Sequence, residues 1–150
     1  MKSDININLE LRSEILDIAL TLEHVVNELI LGLLVIDKPN KKAMSNKSGS
    51  LSIKNKIDLL FDLEVLNSDE HEIFLLLIEF RNQFLHNIQC SSFENAVKLL
   101  GSDKEKRLLK FDDAKDSLDR EFKYRNAFRN LNIKCLNIIC KKIEDRRNQI

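Results

Sequence analysis

The sequence predicts an all-α protein, a single-domain helical bundle of two long helices packed on a shorter helical hairpin. Three observations predict it. Helix breakers are scarce, with three Gly and one Pro in 150 residues, where average usage would supply about ten and seven. Apolar residues recur at intervals of three and four along most of the chain, the period of a helix with one face in a core. No stretch alternates apolar and polar residues as a half-buried strand does. A chain of this length fits one domain, residues 1–150, that buries roughly 70% of its unfolded surface.

The first helix is read from Leu9 to Ile36. Leu11, Ile15, Ile18 or Ala19, Leu22, Val25 or Val26, Leu29 or Ile30, and Leu33 recur at three and four. Leu31, Leu34 and Val35 fill the other faces near its end, which predicts burial on all sides there. Asp37, Pro39 and Asn40 stop the helix, and residues 38–50 are polar and turn-rich, the pattern of a mobile loop. Ser52 then caps a second helix that runs to Leu63, with Ile53, Ile57, Leu60 and Phe61 on its buried side. Ser68 is the expected cap of a third helix ending near His86, with Asp69, Glu70 and Glu72 placed favourably at its positive end. Two capping-box patterns follow, "SSFE" at 91–94 and "SDKE" at 102–105, separated by Gly101, a natural residue for closing a short helix over 92–100. The last helix is read over Asp113 to Arg147, with Phe128, Leu131, Cys135, Leu136, Ile139 and Ile143 as its apolar stripe.

Net charge is zero but unevenly spread. Residues 1–103 hold 10 Lys/Arg against 16 Asp/Glu, and residues 104–150 hold 14 against 8. Such a split lets the two parts of one bundle attract each other, or steers a charged partner. It also argues against a generic nucleic-acid binder, which carries net positive charge. Three widely spaced cysteines without a C-x-x-C, and a polar N-terminus without a signal-peptide core, point to a reduced cytoplasmic setting. Cys135 and Cys140 read as small core hydrophobes. The longest apolar run, Leu29 to Ile36, falls far short of the roughly 20 residues that span a membrane. Neither metal-ligand spacing nor a Gly-rich phosphate loop is present, so no metal or cofactor is expected.

One cluster stands out. In "LLLIEFRNQFLHN" (75–87) an apolar helix carries Arg81, Asn82 and His86. Arg81 falls in the same angular sector as Phe74, Ile78 and Leu85, so burial is expected, and a buried guanidinium requires an acceptor. Asp58, Asp62, Glu23 and Glu28 are candidates, as is a carbonyl left open where the helix ends. Two readings follow. In one, Arg81, Asp58, Asp62 and His86 form a structural polar brace. In the other, Arg-x4-His with a polar residue after the Arg resembles the motif of HEPN-type ribonucleases. That resemblance implies proton transfer by His86, phosphate binding by Arg81 and orientation by Asn82, without a metal and in a homodimer that acts on RNA.

A second resemblance covers residues 50–100. The run "GSLSIKNKIDLLFDLEVLNSDEHEIFLLLIEFRNQFLHN" followed by "SSFENAVKLL" looks like the mannitol operon repressor family, through Leu51, Lys56, Ile57, Leu60, Arg81, His86, Asn87 and Phe93. The chain departs from it at Glu64, where the family commonly has Gly. The resemblance implies an all-helical, non-catalytic regulator that acts through another protein. A role in transcriptional regulation or as an immunity-type inhibitor of a toxin or nuclease fits, and the acidic N-terminal portion would suit a basic partner.

Other features read as structural. His24, beside Glu23 and near Glu28, is expected to face solvent or be hydrogen-bonded, His71 to be exposed, and the carboxylates of "DDAKD" (112–116) to serve the start of the last helix. "DREFKYRNAFRN" (119–130) interleaves bases with aromatics; the aromatics are expected in the core and the bases in water, although such a pattern also grips single-stranded nucleic acid.

Overall fold

The computed structural model describes residues 8–34, 51–114 and 117–149. The expected mobile loop at 38–50 lies outside them. All the regular structure among these residues is helical: α1 (Leu9–Leu33), α2 (Ile53–Asp62), α3 (Ser68–His86), α4 (Phe93–Leu100), α5 (Ser102–Leu109) and α6 (Arg120–Arg147). Among the described residues no helix is long and apolar enough to cross a membrane.

The chain divides into two compact units, with boundaries inside α1, α3 and α6. The first comprises the chain up to Ala19 with Leu76–Ile133. Its core includes Leu11, Ile15, Phe80, Phe84, Phe93 and Phe128, each no more than 2% exposed. Phe84 and Phe93 meet edge to face at 4.8 Å between centroids, and Phe93 meets Phe128 at 5.2 Å, geometries that the aromatic quadrupole favours. The second unit, Leu20–Leu75 with Lys134–Ile150, buries Leu22, Val26, Ile30, Ile57, Leu60, Phe74 and Ile139.

The helix ends show where local chemistry decides. Ser52 is a cap as expected, its hydroxyl accepting from Asn55 N at 3.2 Å. At α4 the cap is Ser92, accepting from Asn95 N at 3.1 Å, one residue past the Ser91 that the "SSFE" box points to. At α3 the cap is Asn67 rather than Ser68. Asn67 Oδ1 accepts from Glu70 N at 2.8 Å while Glu70 Oε1 accepts from Asn67 N at 3.0 Å, a reciprocal capping box that needs a Glu three residues on, which Asn67 has and Ser68 lacks. Ser102 likewise is the first residue of α5 and not its cap, because Gly101 closes α4 and opens α5 at once. At φ 97, ψ 170, Gly101 occupies a conformation reserved for glycine. The last helix begins at Arg120, later than the apolar period suggests. Asn126 Nδ2 donates to Asp112 Oδ1 at 3.1 Å and to Asp113 Oδ1 at 2.5 Å, which holds the DD pair against α6 instead of inside it. Asp119 caps α6 through Phe122 N at 3.3 Å.

Helix α2 ends in a Schellman motif. Glu64 N donates to Phe61 O at 2.9 Å and Val65 N to Leu60 O at 2.9 Å, with Glu64 at φ 57. That left-handed position is usually glycine's.

Several burial expectations fail, among them Phe61, placed on the buried side of α2 but 38% exposed. Leu34 is 46% exposed, so the end of α1 is not enclosed on all sides. Cys135 is buried, but Cys140, one residue past the buried Ile139, is exposed.

Candidate functional site

The cluster at the end of α3 belongs to the first unit. Its central cation is Arg12 of α1, which sequence reasoning did not single out. The Arg12 guanidinium donates to the carbonyls of Phe84, of Asn87 at 2.8 Å and of Cys90 at 3.1 Å. These are carbonyls at and just past the C-terminus of α3, where a helix leaves acceptors without intrahelical donors and the dipole favours a cation. The planar fork of Arg reaches several diverging oxygens at once, which a Lys point charge cannot. The Cys90 thiol lies beside it, donating to Ser92 O at 3.7 Å. Burial pushes that thiol up, against the opposing pull of Arg12.

Arg81 is half-buried and not enclosed, and its Nη1 donates to Asn82 Oδ1 at 3.2 Å. His86 is exposed in the last turn of α3. The α3-end carbonyls offered to Arg81 in the sequence reading are held by Arg12. The four acids proposed for Arg81 belong to the second unit, where two of them hold other cations. Glu23 accepts from Lys56 at 3.1 Å. Asp58 accepts from Lys54 at 2.7 Å and pairs with His71 Nε2 at 2.8 Å, and the bonds from Lys54 and then His71 hold its carboxyl below the usual range. Glu28 lies 3.4 Å from His24, and Asp62 is exposed. The structure therefore brings Arg81 and Asn82 together and gives Asp58 to His71.

The cation that hydrocarbon does enclose is Lys56, at 0% exposure, paired with a Glu23 side chain that is 14% exposed. The signal was present in the sequence, since Lys56 sits among Ile53, Ile57 and Leu60 at helical spacing. His71, expected in solvent, is 18% exposed: it stacks on Phe61 with centroids 4.4 Å apart while it meets Asp58.

The basic and aromatic segment 119–130 lies within the first unit and is mostly structural. Tyr124 and Phe128 are core residues, whereas Phe122 is 49% exposed. Arg125 and Arg129 both bind Glu14, the latter at 2.7 Å. Desolvation pushes the Glu14 carboxyl up, but the bonds from Arg129 and Arg125 outweigh it and hold the group below its usual range. Glu121 caps α4 from a distance, accepting from Phe93 N at 2.7 Å and Glu94 N at 2.9 Å. With Lys104 on Glu79 at 2.7 Å, and in the second unit Lys142 on Glu70 at 3.3 Å, late bases meet early acids. The uneven charge of the sequence is thus partly used internally. Among the described residues no group of three or more His, Cys, Asp or Glu side chains is placed to hold a metal ion.

No protein-family model, curated protein or solved structure matches the chain.

Proposed function

We propose that this chain is a non-catalytic, all-α regulatory or interaction protein of the mannitol-operon-repressor type. It works by binding a protein partner, as a regulator or as an inhibitor of a toxin or nuclease. The observation that carries this reading is the Arg12 fork on three carbonyls at the end of α3. The polar groups around the α3 terminus serve to fasten a helix end, and His86 beside them faces solvent. A general base is usually oriented by a second group, and no hydrogen bond or ion pair to His86 is present among the described residues. The left-handed Glu64 adds support, because it stands where the repressor family commonly has Gly. Around it the second unit exposes Phe61 (38%) and Leu63 (46%) next to the exposed carboxylates of Asp62 and Glu64. Apolar side chains edged with acid suit a basic protein surface.

One observation favours the alternative, a homodimeric metal-independent ribonuclease. Arg81 and Asn82 form one hydrogen-bonded unit on the helix that also carries the accessible His86. The two readings separate when pure protein is incubated with total RNA in EDTA beside a His86→Ala control. Uncut RNA in both tubes is the expected result, and cleavage by the unmutated protein alone would defeat the proposal. For the partner itself, cross-linking in the host should join the tagged chain to one protein in stoichiometric yield. Reversing Asp62 and Glu64 to Lys should abolish that product; a product insensitive to the reversal would refute the acidic surface.

A further inference from the structure

Apart from the α3 terminus, the first unit carries a polar groove made by α4, α5 and the start of α6. It has two lobes, of about 300 and 240 Å³, that share Glu105, Arg120 and Tyr124. Tyr124 Oη donates to Glu105 Oε1 at 2.5 Å where the lobes meet, and the phenol is held neutral, pushed up to about 12 by burial and by the Glu105 carboxylate. Since the phenol gives its only proton to Glu105, its oxygen keeps lone pairs that can accept, beside the second carboxylate oxygen. Two acceptors lie side by side, matched to a group with several N–H donors.

Around that pair the lining is mainly basic, Arg120 with Lys98 in the smaller lobe and Lys123 in the larger, with Glu94 the one further carboxylate, in the smaller lobe. Arg120 is exposed, and among the described residues no hydrogen bond or ion pair engages it or Lys98. Lys123, on the wall of the larger lobe, is only loosely tied to Asp112, at 3.9 Å. A site for a plain anion would not put a half-buried carboxylate at its centre, and a site for a plain cation would not put a guanidinium at its mouth. Leu109 supplies apolar wall in the larger lobe, with the fully exposed Leu118 at its rim. At the lower end of the volumes that ligand clefts reach, the groove suits a small molecule.

We propose that this groove binds a small zwitterion, its ammonium on Glu105 and Tyr124 Oη and its carboxylate or phosphate on Arg120 with Lys98 or Lys123. The site is separate from the α3 terminus and from the acidic surface assigned to a protein partner, so it stands or falls independently of both.

The test is an amide-detected NMR titration of the full chain with three probes: O-phospho-L-serine, inorganic phosphate and ethanolamine. The zwitterion should give saturable shifts at Leu109, Arg120 and Tyr124, with a midpoint at least about tenfold below that of either one-sided probe, as expected when a second charged hydrogen-bonding group is engaged. Arg120→Ala should weaken both O-phospho-L-serine and phosphate about tenfold. Glu105→Gln, which keeps an acceptor for Tyr124, should weaken the zwitterion about tenfold and leave phosphate unchanged. Either variant is read only with a spectrum as dispersed as the parent's, and Arg120, being exposed, serves if Glu105→Gln does not fold. Unsaturable shifts, phosphate binding as tightly as the zwitterion, or indifference to Arg120→Ala would each overturn the proposal.

Discussion

The two units each take a cation out of water, by different means. In the first, Arg12 spreads one guanidinium over three main-chain carbonyls. In the second, Lys56 gives one fully enclosed ammonium to one carboxylate, Glu23. The difference teaches which part of each arrangement is replaceable. Lys56 and Glu23 are both side chains, so the pair can be exchanged together for hydrocarbon. The acceptors of Arg12 are backbone, fixed by the path of the chain at the end of α3, and no second mutation removes them.

That contrast can be broken, and the largest effect is expected in the second unit. Glu23→Ala leaves an enclosed charge without its acid and should cost about 3–5 kcal/mol of unfolding free energy in urea. Adding Lys56→Met should recover most of that loss, whereas a double variant as unstable as the single would show that the pair is not what matters. Next, Arg12→Met should cost about 2–3 kcal/mol, the worth of charged hydrogen bonds lost from a half-buried site. Arg12→Lys should regain only part of it, because a point charge cannot span the three oxygens.

Smaller effects come from the two left-handed residues. Gly101→Ala should cost about 2 kcal/mol through backbone conformation alone, since an added Cβ meets nothing within 4 Å. Glu64→Gly should have the opposite sign and raise stability by about 1 kcal/mol, the left-handed penalty less the greater freedom of an unfolded glycine; a fall in melting temperature would count against the Schellman geometry. Smallest is the acid limb. Because Glu14 titrates below its ordinary value of 4.5 when folded, its contribution is complete above that pH and disappears as pH falls through the folded value. Glu14→Gln should flatten the pH dependence of unfolding on that side.

The fold class was legible because helical periodicity and the lack of breakers are local, and so was the cap at Ser52, whereas at α4 two adjacent serines left the cap one residue off, at Ser92 and not Ser91. Asn67 was legible too, by its Glu at the third position, but Ser68 beside it is an equally good cap in isolation. The late start of α6 was not readable, since it depends on Asn126 and Asn130 reaching back to Asp112, Asp113 and the Phe111 carbonyl at 2.9 Å. At the candidate site, helical angles placed Arg81 in the apolar sector and predicted burial, whereas the residue is half-buried. They could not show that Arg12, more than seventy positions earlier in the chain, holds the helix-end carbonyls that stood beside four acids as possible acceptors for Arg81. Lys56 was the opposite case, a cation inside an apolar stripe that could have been read as buried.

Arg12, and not the Arg81 of the ribonuclease-like motif, fastens the end of α3 through its bonds to the Phe84, Asn87 and Cys90 carbonyls. Unfolding free energies of Arg12→Ala and Arg81→Ala, measured side by side in urea, test it most directly. Arg12→Ala should be the more destabilising by at least about 1 kcal/mol. An Arg81→Ala loss equal to or greater than that of Arg12→Ala would contradict it.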